Sequence, residues 1–153
     1  MRAELKIVVD SNVMISAALA IHSGRTESPS ARLFSLLAGG DVAAVASTQM
    51  LYELAEKLEE PRFALSSAFI LDFVELYANA LEIVAIRGLD MGCRDDDDDK
   101  FIETAVNGRV DALVTRDRDL TETRIRYDLA KRRCEVLAVS EVLTAFEERA
   151  QHP

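Results

Sequence analysis

Apolar and polar positions fall into short alternating blocks along the chain. Leu5-Lys6-Ile7-Val8-Val9 is apolar and β-branched and reads as a buried strand, closed by Asp10-Ser11-Asn12. Val13 to Ile21 continues as a helix, and His22 to Ser28 is a polar loop containing a glycine. Ser28-Pro29 supplies a cap and a proline for the first helical position; that helix runs to about Ala38 and stops at Gly39-Gly40. Val42 to Ala46 is a second apolar strand. Ser47 or Thr48 caps a helix through about Glu59, which Pro61 ends. Ser66 or Ser67 opens an amphipathic helix through about Ala80, with Phe69, Ile70, Phe73, Val74 and Tyr77 on one face. Core packing accounts for that face more simply than a docking surface. Glu82 to Ile86 reads as a strand. Phe101, Ile102, Ala105 and Val106 follow at helical spacing, and Gly108 stands where that helix would stop. Asp111 to Thr115 and Glu135 to Val139 are the last strands, and Ser140 caps a final helix through about Glu148.

Strand and helix blocks in alternation predict an α/β fold, a mainly parallel sheet with helices on both faces. The 153 residues contain no repeat, linker or composition break, so one domain is expected over residues 1–153, with its core at about 5–148. The formal charge of -9, from 27 acidic and 18 basic residues, argues against broad polyanion binding but allows a local basic rim around an acidic pocket. Two cysteines, Cys93 and Cys134, make no disulfide framework or zinc spacing, and a reducing cytoplasm is the simplest compartment. The apolar start reaches Asp10 too soon for a signal peptide, and no apolar run is long enough for a membrane helix.

Charge changes the picture most at Asp95-Asp96-Asp97-Asp98-Asp99, which leads directly into Lys100-Phe101-Ile102. Carboxylates suit a helix N-terminus, but dipole compensation needs one or two, not five. A solvated acidic cap is the bland reading. The sheet topology favours another. In such folds ligands gather at the carboxyl ends of the strands. Asp10 ends the first strand, Asp117 and Asp119 follow the strand ending at Thr115, and Asp98 and Asp99 open the helix before it. Carboxylates gathered in this way need a neutralising cation. Oxygen donors without a histidine or cysteine cluster select Mg²⁺ or Mn²⁺ over zinc.

Four segments then carry a resemblance. Val8-Val9-Asp10-Ser11-Asn12-Val13, Thr48 to Leu58 around Glu53, Asp98-Asp99-Lys100-Phe101-Ile102 with Ala105, and Leu113-Val114-Thr115-Arg116-Asp117-Arg118-Asp119-Leu120 resemble, in order and spacing, the acidic motifs of PIN-domain proteins. Within that family the chain is most similar to toxin components of toxin–antitoxin pairs, relatives of the VapC type. The resemblance implies a three-layer α/β/α fold and a ribonuclease using one or two Mg²⁺ or Mn²⁺ ions to hydrolyse RNA. It also implies a homodimer or higher oligomer and a cognate antitoxin. A non-catalytic PIN-fold scaffold is the alternative. Asp96 and Asp97 depart from relatives, which usually carry proline and a basic or polar residue there.

Carried over by position, Asp10, Glu53, Asp99 and Asp117 would be the catalytic, metal-holding acids. The register of the third within Asp95 to Asp99 is open by one residue, so Asp98 could substitute for or support Asp99. Asn12 would hold the turn or cap the next helix, Thr115 would orient a water or an acidic neighbour, and Asp119 would support the site or cap the next segment. Glu103 shares a helix face with Asp99 and reads as a solvated surface glutamate. Arg94, Lys100, Arg116 and Arg118 would contact RNA phosphates; Arg124, Arg126, Lys131, Arg132 and Arg133 form a second basic cluster, or a solvated helix face. No histidine is placed as a general base, since His22 falls in a loop and His152 in the tail.

Overall fold

The computed structural model describes residues 5–116 and 123–151. Strand β1 (Lys6–Val9) leads into helix α1 (Ser11–His22), then α2 (Pro29–Ala38), β2 (Ala43–Ala46), α3 (Thr48–Leu58), α4 (Ser67–Asn79) and β3 (Leu81–Ile83). The second half contains α5 (Asp99–Gly108), β4 (Ala112–Val114), α6 (Thr123–Ala130), β5 (Glu135–Leu137) and α7 (Val139–Gln151). The five described strands form one sheet in the order β3-β2-β1-β4-β5, and every pairing is parallel.

Register explains the layering. Ile7 pairs with Ala44 and Ala112, while Val8 pairs with Val45 and Leu113. Side chains alternate between the faces of a strand. Ile7, Val9, Ala44 and Val114 therefore join one core, with Val13, Leu33, Leu37, Leu54, Phe73 and Val142 from the helices. Val8, Val45 and Leu113 join the other, with Phe101, Ile102, Ile125 and Leu129. This is a PIN-like α/β/α sandwich. Among the described residues no helix is long and apolar enough to cross a membrane.

The apolar face of α4 is core: Phe73 and Tyr77 are buried, and Phe73 stacks on Phe34 with ring centroids 4.5 Å apart. Several boundaries move. The expected strand from Glu82 to Ile86 is a three-residue edge strand, extended by Val84, whose N–H donates to the Ala46 carbonyl. His22 belongs to α1 and packs edge-on against Phe69, 5.1 Å away. Ser140 does not cap the last helix. Glu141 reaches back to accept from the Ala138 N–H at 2.9 Å, half of a capping box. Gly108 ends α5 for a reason other than the expected one. The left-handed residue past the helix is Arg109, φ 51°. Gly108 itself is helical, and a Cβ there would stand 2.7 Å from Val45 Cγ1, so glycine permits α5 to press against β2.

Candidate active site

Strand order reverses between β1 and β4: the chain leaves β1 toward β2 and leaves β4 toward β5. A crevice opens at such a switch point, past the carboxyl ends of the strands. Asp10 and Thr115 stand there, both buried. The Asp10 N–H donates to the Val114 carbonyl at 2.9 Å, continuing the ladder by one rung. Asp10 is also the N-cap of α1. Its Oδ1 accepts from the Asn12 N–H at 3.3 Å, and its Oδ2 accepts from the Thr115 hydroxyl at 2.7 Å. Asn12 therefore does not cap the helix, because it is the second residue of α1 and its N–H is the capped group. Its side chain is exposed and lines the cleft.

That cleft has a volume of about 610 Å³ and is walled by Asp10, Asn12, Glu53, Asp98, Lys100 and the exposed Tyr52, among others. Glu53 comes from α3, whose Leu54 and Leu58 are buried and fix the helix against the core. This leaves Glu53 half-buried at the rim. Lys57, one turn on, pairs with its Oε1 at 3.0 Å, and Lys100 from α5 pairs with Oε2. Burial pushes the Glu53 carboxyl up, but the two ammonium groups outweigh it and hold the pKa below the usual carboxylate value. Thr104 ties the two helices together. Its hydroxyl donates to the Lys100 carbonyl at 2.6 Å and lies 3.0 Å from Ser47 Oγ at the start of α3. Ser47 thus occupies the N-cap position of α3 without capping it through its side chain.

The acidic run forms one 3₁₀ turn, Asp96–Asp98, ahead of α5. Asp98 and Asp99 are both buried but do different things. Asp98 borders the cleft. Asp99 is not among its lining residues; its Oδ1 accepts from the Cys93 N–H at 3.1 Å and holds the preceding loop. Burial, with Asp99, Asp98 and Asp90 nearby, pushes the Cys93 thiol up to about 12, so that thiol stays protonated.

Glu103 departs most from expectation. It is buried, not solvated. Its Oε1 accepts from the N–H groups of Gly88 and Leu89 at 2.9 Å each, and its Oε2 from that of Arg87. Burial acts against its charge, but these backbone donors prevail and lower its pKa below the usual value. The reason is a chain crossing that helical spacing alone does not reveal: residues 87–89 wrap over α5. Arg116 is exposed, with its guanidinium donating to Ser16 Oγ at 2.6 Å, and Arg94 is exposed on the loop before the acidic turn. Asp117, Arg118 and Asp119 lie outside the described residues. The basic cluster from Arg124 to Arg133 lies on and after α6, exposed, while Ile125 and Leu129 face the core.

The donor set suits a hard divalent cation, since the acids that border the cleft offer only oxygen. Among the described residues, no three histidine, cysteine or acidic side chains are grouped closely enough to hold one metal ion between them. The arrangement brings Asp10, Glu53 and Asp98 to one cleft and sets Asp99 behind it. Sequence reasoning missed Tyr52, whose side of α3 points outward, and Lys57, which the four-residue spacing from Glu53 could have signalled.

An acidic cleft at the switch point of a parallel α/β sandwich defines the general class. A family model described as PIN domain matches residues 6–119, which includes Asp117, and the chain belongs to that family. PIN domains are generally nucleases and generally depend on divalent metal ions. No curated protein and no solved structure matches the chain.

Proposed function

We propose that this protein is a divalent-metal-dependent endoribonuclease, the toxin of a toxin–antitoxin pair. The observation that carries the nuclease reading is the shared cleft of Asp10, Glu53 and Asp98, with Asp10 locked by Thr115 and by its own helix cap. Asp10, Glu53, Asp98 or Asp99, and Asp117 would hold Mg²⁺ or Mn²⁺. When bound, such an ion lowers the pKa of water and offsets charge on the scissile phosphate. Thr115 donates to Asp10 Oδ2 and fixes its direction. Lys100 neutralises Glu53 and, once released from it, would reach a phosphate oxygen. Arg116 stands beside Thr115 as a further phosphate contact. Tyr52, 70% exposed on the cleft wall, offers a ring on which an unpaired base can stack, which suits single-stranded RNA.

The toxin role, the cognate antitoxin, a homodimeric or higher assembly and a cytoplasmic setting rest on the resemblance of the four acidic motifs to those of toxin components. The test uses purified protein on an RNA panel with EDTA, Mg²⁺ or Mn²⁺, beside Asp10→Asn and Glu53→Gln. Cleavage that needs the ion and is lost in both variants supports the reading. If the wild type cuts nothing and Mn²⁺ leaves its melting temperature unchanged, the non-catalytic scaffold takes its place.

A further inference from the structure

A second cleft, of about 460 Å³, opens beside Arg116 and has the opposite character. Arg25 and Arg116 line it together with the hydroxyl residues Ser16, Ser28, Ser30 and Ser140, and among the described residues no acidic one does. In a chain of net charge -9 this is a local reversal of sign. The first cleft, by contrast, is bordered by Asp10, Glu53, Glu56, Asp95, Asp97 and Asp98. Arg25 is exposed at the loop after α1, and among the described residues its guanidinium makes no hydrogen bond or ion pair. Arg116 is aimed by Ser16, a neutral partner, and among the described residues no carboxylate pairs with it. At the nearby helix starts Ser28 Oγ accepts from the Ala31 N–H, and Glu141 accepts from that of Ala138. The two guanidinium groups are the charged groups that the cleft's described lining offers a ligand, with hydroxyls around them. That chemistry takes a phosphate.

The position decides which phosphate. Thr115, which touches Asp10, directly precedes Arg116, and Ser16 lies six residues after Asp10 along α1. At about 1.5 Å per residue, the partner of Arg116 is about 9 Å from the Asp10 end of that helix. At about 3.4 Å per nucleotide this separates the clefts by about two to three nucleotides, fewer for an extended strand. Resting on the nuclease reading, we propose that the Arg25–Arg116 cleft is a phosphate subsite. It holds a backbone phosphodiester of the same RNA strand whose scissile phosphate sits in the acidic cleft. It fixes the strand's path across the β1–β4 edge without reading sequence.

The test is a salt titration of binding. Full-length protein in EDTA is titrated with a fluorescent single-stranded 10-mer RNA, for wild type, Arg25→Gln, Arg25→Lys and Arg116→Gln. Arg25→Gln and Arg116→Gln are each expected to weaken binding about fivefold to tenfold near 0.1 M salt and to lower the log–log salt slope by about 0.7. Arg25→Lys should retain most of the slope. Wild-type affinity and slope in Arg25→Gln, at an unchanged melting temperature, overturn the subsite. Inorganic phosphate that binds as tightly as the 10-mer and equally depends on Arg25 makes this a free-anion site and overturns the strand assignment. A parallel Mn²⁺ cleavage assay separates the two readings. Binding that depends on Arg25 without cleavage upholds the subsite and sinks the nuclease; cleavage with binding indifferent to Arg25 does the reverse.

Discussion

The Thr115 hydroxyl donates to Asp10 Oδ2 at 2.7 Å, joining the carboxyl ends of β1 and β4 inside the buried floor of the cleft. The other oxygen of Asp10 caps α1. One carboxylate is therefore aimed by two elements of the fold before any substrate arrives. A neighbour that orients a ligating group commonly matters by about tenfold to a hundredfold. Thr115→Val should lower RNA cleavage by that amount and weaken Mn²⁺ binding. Asp10→Asn should abolish cleavage while keeping the fold, because asparagine caps helices about as well as aspartate. Cleavage rates and thermal melts of both variants check this. A Thr115→Val enzyme with full activity would show that the hydroxyl only stabilises the fold.

Glu103 gives the protein an acid-sensitive element away from the cleft. Its folded pKa is depressed, so its contribution to stability is fully present above the usual value of 4.5 and is lost as pH falls through the lower folded value. Glu53 has the same sign and adds to the same window. Glu103→Gln should cost about 3 kcal/mol near neutral pH, because an amide cannot match a carboxylate with three backbone donors. It should also flatten the loss of stability below about pH 4.5. Urea melts across pH 3 to 7 measure both. An unchanged pH profile in Glu103→Gln would place the acid sensitivity elsewhere.

Gly108 and Arg109 should respond in opposite directions. Gly108→Ala forces a Cβ to within 2.7 Å of Val45 Cγ1, an overpacking that costs about 1–3 kcal/mol. Val45→Ala in the same chain should recover part of that loss. Arg109→Gly should stabilise, by about 1 kcal/mol, since the residue has φ 51° and glycine adopts that region freely. Thermal unfolding of the three variants decides it; a stabilising Gly108→Ala would mean that α5 can back away from β2.

The residues differ in how much of this the sequence displays. The central strands and helices α1 to α5 were legible because their blocks carry distinct periods and strong stops such as Gly39-Gly40 and Pro61. Helix α6 was not, since among its described side chains only Ile125 and Leu129 are buried, among polar neighbours. The acids at Asp10 and Glu53 could be named from motif spacing, with Asp99 named third and Asp98 as its possible substitute, and the strand switch point explains why Asp10, Glu53 and Asp98 meet. Asp98 and Asp99 could not be told apart, because the 3₁₀ turn that sends them to different partners depends on the loop ending at Cys93. Glu103 misled because its partners lie 14 to 16 residues away in a segment without periodicity. Asp117 and Asp119, the acids after β4, lie outside the described residues.

Lys100 is the most informative single substitution, because it pairs with Glu53 across the mouth of the cleft. An ammonium group and a divalent ion compete for the same carboxylate. Lys100→Met removes that competitor and keeps the length of the side chain. The Mn²⁺ concentration that gives half the maximal rise in melting temperature should therefore fall several-fold. RNA affinity should move the other way, because one cation near the phosphates is lost and the salt slope drops by about 0.7. Each effect alone has an ordinary explanation, such as a general change in net charge. Tighter metal binding together with weaker RNA binding does not, because added negative charge far from the site would leave the local pairing of Glu53 untouched. Lys57→Met is the control. It also removes a cation from Glu53, but Lys57 stands one turn along the same helix, outside α5. If Lys57→Met and Lys100→Met shift the Mn²⁺ midpoint equally and neither changes RNA binding, Lys100 serves only to balance charge.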